Sequence, residues 1–278
     1  MFDRLIDDIE ARANEAIKAE QGDYIENGLL HCGKCHTPKQ VKIEFMGRVR
    51  KPYCLCKCET EKRDREEEEF KRRQWQENIQ RKRRVGFADS DLVNCTFATD
   101  DKSNEKISNV ALNYVENFRK MRADGKGLLF FGTVGTGKTF IAAAIANALI
   151  DKGYNCLVTN FSRLVNTITG MYAGKQEYID SLNKFDLLII DDLAAERDTE
   201  YMNEVVQTII DNRYRAGLPL IVTTNLTSEE LKNPADVKKQ RTYSRLLEMT
   251  IPLEVSGSDR RKEKLKHDYK EYKDILGL

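Results

Sequence analysis

The stretch GTVGTGKT, Gly132–Thr139, has the residue types and spacing of a phosphate-binding loop. In the pattern G-x-x-x-x-G-K-[ST], glycines let backbone N–H groups turn inward around phosphate oxygens. Lys138 is then expected to contact the β- and γ-phosphates, and the Thr139 hydroxyl to ligate Mg²⁺. An apolar run precedes the loop and a helical pattern follows it, as the motif requires. We predict that ATP or ADP contacts the loop and its next residue, namely Gly132, Thr133, Val134, Gly135, Thr136, Gly137, Lys138, Thr139 and Phe140.

Polar residues follow two of the apolar runs that come after the loop in the sequence. LLII delivers Asp191 to the carboxyl end of a predicted strand, where ligands bind in open α/β sheets, so we expect Asp191 to hold Mg²⁺ with Thr139. We expect Asp192 to orient the attacking water, and we expect hydrolysis to be slow and switch-like. One alternative is that Asp192 only caps the loop. Another is that Glu196 orients the water instead. Asn225 ends the run IVTTN and is predicted to bond the γ-phosphate or the water, although an asparagine after a strand is often only a turn former.

Three arginines are candidates for stabilising transition-state charge. Arg245 lies in RTYSRLLEM, and we predict that it reaches the nucleotide of a neighbouring subunit. The alternative for Arg245 is a surface arginine paired with a carboxylate. Arg260 and Arg261 open the last predicted helix, from which an arginine is expected to reach the phosphates of its own subunit.

Five cysteines lie in a short N-terminal stretch, in HCGKC and YCLCKC. Clustered thiols in a reducing compartment favour metal binding over disulfides, and tetrahedral zinc takes four ligands. Cys32 and Cys35 form a C-x₂-C half-site. We expect Cys56 and Cys58 to complete it, with Cys54 as the alternative ligand. His31 and His36 flank the first pair and are interpreted as bystanders.

The composition indicates a protein of cytoplasmic type. The chain has 278 residues, a net charge of +1 and 33% charged residues, and we identify neither a membrane span nor an export signal. Five short apolar runs separated by helical patterns predict an α/β fold with a parallel five-stranded sheet. We expect three parts: an N-terminal helix (residues 2–20) and zinc module in 1–58, a charged helical linker in 59–85, and an ATPase domain in 86–278.

The motifs, in their order and spacing, resemble AAA+ ATPases of the clade that includes DnaC/DnaI-type helicase loaders and IstB-like transposition helpers. The resemblance covers roughly residues 90–265 and is nearest to DnaC-like replication proteins of phages and prophages. It implies that Lys138 is the phosphate-loop lysine, that Thr139 and Asp191 ligate Mg²⁺, and that Asn225, Arg245 and Arg261 are first sensor, arginine finger and second sensor. Arg260 is adjacent to Arg261, and Asp192 stands where several relatives carry glutamate.

The resemblance implies an ATP-dependent loader of a replicative DNA helicase onto single-stranded DNA, which associates with itself through its ATPase domains. The alternative is a transposition helper that acts with a transposase on duplex DNA. The cysteine cluster favours the loader, because helper-type chains lack one. Residues expected to contact DNA lie in one helical insertion, and they are Phe161, Arg163, Tyr172 and Lys175.

Overall fold

The computed structural model describes residues 20–45, 47–194, 199–234 and 236–276. The chain divides into two compact units, one ending at Glu77 and the other beginning at Asn78. The division falls inside helix α1, Lys57–Gly86, which contains the stretch predicted as a charged helical linker. The three-part domain division stays a prediction. Of the helix predicted for residues 2–20, only Glu20 is among the described residues.

Two antiparallel hairpins precede α1 in the first unit. Strand β1 (Tyr24–Glu26) pairs with β2 (Leu29–His31), and β3 (Ile43–Phe45) pairs with β4 (Arg48–Arg50). Asn27 and Gly28 join the first pair with φ of 51° and 73°. An Asn-Gly turn with both φ values positive is a type I′ turn, which matches the twist of a two-residue hairpin.

The first unit has almost no apolar core among its described residues. Counted as whole residues, only Cys32, Cys56 and Lys39 are buried there. The Lys39 ammonium lies 2.9 Å from the Asp23 carboxylate, and both side chains are 2% exposed. The Gly33 N–H also donates to Asp23, at 3.0 Å. A unit of this kind depends on polar contacts and on whatever binds its cysteines, because a small segment cannot bury enough apolar surface.

The second unit is built on a parallel five-stranded sheet, as the sequence predicts. Its strands are β5 (Gly127–Phe131), β6 (Cys156–Asn160), β7 (Leu187–Leu193), β8 (Leu220–Thr224) and β9 (Thr250–Glu254). They lie side by side in the order β6-β7-β8-β5-β9, and each neighbouring pair is parallel. The carboxyl ends of β5, β7 and β8 are therefore adjacent, and polar residues at these ends can meet.

Helices cover both faces of the sheet. Alternate residues of a strand point to opposite faces, so Leu128 and Phe130 pack into one buried cluster and Leu129 into another. The helices after α1 are α2 (Glu105–Glu116), α3 (Phe118–Ala123), α4 (Lys138–Asp151), α5 (Phe161–Thr169), α6 (Lys175–Ser181), α7 (Glu200–Arg215), α8 (Ser228–Lys232), α9 (Val237–Met249) and α10 (Arg260–Leu276). The first cluster includes residues of α2 and α4, and the second includes residues of α5, α7 and α9.

Within the described residues, no helix is both long enough and apolar enough to cross a membrane.

Candidate nucleotide site and cysteine cluster

The phosphate loop joins β5 to α4, and three of its glycines adopt left-handed backbone. Gly132, Gly135 and Gly137 have φ of 135°, 80° and 91°, a region that residues with a Cβ rarely adopt. Space is also limited, since a Cβ at Gly135 would lie 2.0 Å from an oxygen of Asp259 and one at Gly137 would lie 3.0 Å from the Arg260 guanidinium. Backbone conformation therefore favours glycine at all three positions. Packing adds to this at Gly132, where a Cβ would lie 2.5 Å from the Val255 carbonyl oxygen.

Lys138 begins α4 and turns back over the loop. Its side chain is buried, and Nζ donates to the carbonyl oxygens of Gly132 at 3.0 Å and Thr133 at 2.7 Å. Burial lowers the pKa of Lys138, because it penalises the charged form. The ammonium is thus held beside the helix N-terminus, where an anion is favoured.

Thr139 and Asp191 meet across the adjacent strand ends. Thr139 Oγ1 donates to Asp191 Oδ1 at 2.8 Å and Oδ2 at 2.9 Å. Burial raises the pKa of Asp191, and hydrogen bonds from Thr223 and Thr139 oppose that effect by stabilising the carboxylate. A hydroxyl and a carboxylate form the hard oxygen donor set that suits Mg²⁺.

A cleft of about 410 Å³ opens over the loop. Among the predicted site residues it is lined by Val134, Gly135, Thr136, Gly137, Lys138, Thr139, Phe140, Asp192, Asn225, Arg260 and Arg261. Asp191 lines a neighbouring cavity that shares Thr139, Asp192 and Arg261 with the cleft. Gly132 and Thr133 do not line the cleft, but their carbonyls hold Lys138. Glu196, the alternative to Asp192, lies outside the described residues.

The two adjacent arginines of α10 differ in their surroundings. Arg260 pairs with Asp101 at 3.2 Å and donates to Ser103 Oγ, and its guanidinium packs against Gly137. Arg261 lines both the cleft and the neighbouring cavity. Within the described part of the chain, the Arg261 side chain forms no ion pair, in contrast to Arg260. The predicted contact of Arg261 with phosphates stays a prediction, and Arg260 packs against the loop.

Arg245 lies on α9 and does not line the cleft. It forms an ion pair with Asp211 of α7, and its guanidinium lies 5.8 Å from the ring centre of Tyr214. Its side chain is 21% exposed. The structure thus shows the arginine–carboxylate pair that was the alternative expectation. The predicted contact with a neighbouring subunit's nucleotide stays a prediction.

Leu92 and Cys95 also line the cleft, although no sequence pattern predicts it. They belong to a segment that runs along α4, where Asn147 Nδ2 donates to their carbonyl oxygens at 3.2 and 2.8 Å. Neither residue belongs to a motif, and the only signal in the sequence is Asn147, a polar residue within the apolar stretch of the helix from Phe140 to Ile150.

The proposed DNA-contacting set is wrong at Phe161, which is completely buried in the core because its position on α5 faces the sheet. The other members are on the surface. Tyr172 is fully exposed, Arg163 donates to the carbonyl of Ala88, and Lys175 lies 5.7 Å from the ring centre of Tyr201. Three of the four residues therefore stay candidates for nucleic-acid contact.

Four cysteines converge in the first unit. The sulfur atoms of Cys32, Cys35, Cys56 and Cys58 all lie within 4.8 Å of one another. This is close to twice the Zn–S distance of about 2.3 Å, so each sulfur can reach one ion. Cys54 Sγ donates instead to the Pro38 carbonyl at 3.6 Å and is not in the cluster. Among the described residues, the cluster includes neither His31 nor His36, and their bystander role stays a prediction.

The thiols of the cluster influence one another. Hydrogen bonds from Thr37, followed by those from Cys58, lower the pKa of Cys35 to about 5. Burial raises the pKa of Cys56 to about 12, and hydrogen bonding to Cys35 raises the pKa of Cys58 to about 11. Ionising all four thiols in so small a space requires a cation between them, and the donor set is that of a structural zinc site.

A sequence model described as "IstB-like ATP binding protein" matches residues 58–266. The replicative helicase loader DnaI of Bacillus subtilis is 29% identical over 191 residues, which cover 63% of this chain and 61% of that protein. The replicative helicase loader DnaC of Escherichia coli K12 is 29% identical over 147 residues, which cover 50% of this chain and 58% of that protein. The chain thus matches only about three fifths of the length of these curated relatives.

Solved structures give the same picture of the fold. A crystal structure of DnaI aligns with a TM-score of 0.54 and 25% identity, over 65% of this chain and 99% of that one. A crystal structure of the DnaC helicase loader aligns with a TM-score of 0.50 and 24% identity, over 60% of this chain and 100% of that one. The resemblance inferred from the motifs is confirmed, and the expected AAA+ fold with it.

Proposed function

Because the chain belongs to the family of IstB-like ATP binding proteins, we propose that its cleft binds ATP or ADP with Mg²⁺ and hydrolyses ATP. The observation that carries the proposal is the contact between Thr139 and Asp191 at the mouth of a glycine loop that holds Lys138. These residues supply hydroxyl, carboxylate and ammonium groups at adjacent strand ends. Bound Mg²⁺ would supply positive charge at the phosphate oxygens.

Each residue of the site has a role in this proposal. Lys138 leaves the carbonyl oxygens of its own loop and donates to phosphate oxygens. Thr139 and Asp191 hold the metal, and Asp192 orients the attacking water. Asn225 and Arg261, which line the same cleft, donate to the γ-phosphate or the water.

We further propose that ATP drives the loading of a replicative DNA helicase onto single-stranded DNA in the cytoplasm. The support is that DnaI and DnaC, to which this chain is similar, are named replicative helicase loaders. In this proposal the cysteine cluster holds zinc and stabilises a module that binds the helicase, while the ATPase units associate with one another. We also propose that the chain is encoded by a phage or a prophage.

The transposition helper stays the alternative, because the matching family model carries the IstB-like description. The two functions differ in partner and in DNA. A loader requires single-stranded DNA and a helicase, whereas a helper requires duplex DNA and a transposase.

The test combines the purified chain, ATP, circular single-stranded DNA and the replicative helicase of the source cell, and measures the helicase retained on the DNA. We expect retention to need both the chain and ATP. Lys138→Ala should abolish it, and Lys152→Ala, at the far end of α4, should not. Unchanged retention would contradict the loader. ATPase activity that responds only to duplex DNA and a transposase would support the alternative.

A further inference from the structure

Strand β7 carries an irregularity at the two acidic residues of the site. Ile190 pairs with Val222 and Leu193 pairs with Thr224, so Asp191 and Asp192 together face the single residue Thr223. Two residues opposite one is the arrangement of a β-bulge. Asp192 has φ of 58°, which places it in the left-handed region that aspartate and asparagine adopt more readily than most residues.

The Thr223 side chain fills the gap that the bulge leaves in the ladder. Its hydroxyl is completely buried, donates to Asp191 Oδ1, and accepts from the Asp192 N–H at 3.0 Å. One oxygen atom therefore holds the carboxylate of one acid and the backbone of the next. A hydroxyl is the group that can do this, since it donates and accepts at once.

We propose that Thr223 is a positioning residue for nucleotide hydrolysis, which keeps Asp191 and Asp192 in a fixed relation through its one hydroxyl. This inference rests on the proposed ATPase function. In the proposed function, Asp191 holds the metal and Asp192 orients the water. The Thr223 hydroxyl contacts both residues and therefore fixes the position of one relative to the other. Thr223 lines neither the cleft nor the neighbouring cavity, so it acts through the two acids.

The contribution of Thr223 should be largest when metal is bound. In the structure, Asp191 accepts hydrogen bonds from two hydroxyls, those of Thr139 and Thr223. If Thr139 were to offer its oxygen to Mg²⁺, Thr223 would be the one hydroxyl among the described residues that still donates to Asp191. Loss of Thr223 is therefore expected to weaken the metal-dependent part of nucleotide binding more than the metal-independent part.

Three variants test whether Thr223 positions the two acids or only stabilises the fold. Thr223→Val keeps the shape and removes the hydroxyl, and Thr223→Ser restores the hydroxyl. Thr224→Val is the matched control, because Thr224 is also completely buried and its hydroxyl donates to the Leu193 carbonyl at 2.9 Å and accepts from Leu226 N–H at 3.1 Å. Each valine variant removes one buried hydroxyl from β8, but only Thr223→Val affects the acidic residues.

The experiment measures binding of a fluorescent ADP with Mg²⁺ and with chelator, the Mg²⁺ dependence of steady-state ATP hydrolysis, and the unfolding temperature of the nucleotide-free chain. For Thr223→Val we expect Mg²⁺ to raise ADP affinity about ten-fold less than it does in the wild type, and ADP affinity in chelator to be unchanged. We also expect kcat to fall about ten-fold. Both changes correspond to the loss of one hydrogen bond to a charged group. Thr223→Ser should behave like the wild type.

Thr224→Val should lower the unfolding temperature as Thr223→Val does, yet keep the Mg²⁺ response. The inference is overturned if Thr223→Val keeps the wild-type Mg²⁺ response, or if both valine variants lose it equally. A wild-type chain whose ADP binding ignores Mg²⁺ and that hydrolyses no ATP would overturn the proposed function itself, which is a different result from either of these.

Discussion

Arg245 of α9 is paired with Asp211 of α7 within the same chain. The guanidinium also lies against the ring of Tyr214, whose hydroxyl donates to Glu248 at 2.8 Å. The pair links two helices of one buried cluster. An arginine in this position can stabilise the packing of its own subunit, reach a neighbour's nucleotide after leaving Asp211, or do both.

Arg245→Ala separates these roles. If the arginine acts on a neighbouring subunit, the variant should bind ATP normally and hydrolyse it about 10³-fold more slowly, as expected when an arginine that stabilises transition-state charge is removed. Mixing the variant with Lys138→Ala should restore activity, because one interface then joins an intact loop to an intact arginine. The measurement is steady-state ATP hydrolysis across mixing ratios, with single-stranded DNA and helicase present.

Asp211→Asn is the matched control, because it breaks the ion pair and keeps Arg245. An equal loss of unfolding temperature in Arg245→Ala and Asp211→Asn, with no rescue on mixing, would leave the arginine with a structural role only.

Lys138→Ala removes the ammonium that the loop carbonyls hold. We expect ATP hydrolysis to fall by about 10² to 10³, since one preorganised donor to developing charge is lost. Lys152→Ala tests the specificity of the effect, because Lys152 caps the other end of α4 and donates to the Val115 carbonyl at 3.1 Å. A similar fall in both variants would point to damage of the helix instead of the site.

Asp192→Asn should retain ATP and slow its hydrolysis by about 10² or more, the usual contribution of a positioned base. Asparagine accepts the left-handed backbone that Asp192 adopts, so the variant is expected to fold normally. Single-turnover hydrolysis and ATP affinity, measured together, check this result. A wild-type rate would instead direct attention to Glu196.

Metal analysis of the full chain, purified under reducing conditions without chelator, should find one zinc per chain. Cys58→Ser should lose the metal, because Cys58 belongs to the cluster. Cys54→Ser should keep it, because Cys54 points to the Pro38 carbonyl. Nucleotide binding should be unchanged in both. Zinc near zero in the wild type, or equal zinc in the two variants, would contradict the assignment.

Several features could be predicted from local sequence patterns alone. The phosphate loop, the five strands and the helix after the loop are each indicated by residue types and apolar patterns within a few residues, so the sequence predicts where they lie. The same holds for the Asn27-Gly28 turn, in which two adjacent residues with positive φ determine the hairpin.

Other features were decided only by tertiary structure. Cys58 joins the cluster and Cys54 does not, because the second pair straddles the start of α1. Phe161 is buried because α5 packs on the sheet. Thr223 reaches both acids because β8 lies beside a bulge in β7. Strand order, register and helix packing depend on contacts between segments that are distant in the sequence. A local sequence pattern does not determine which distant residues will contact it.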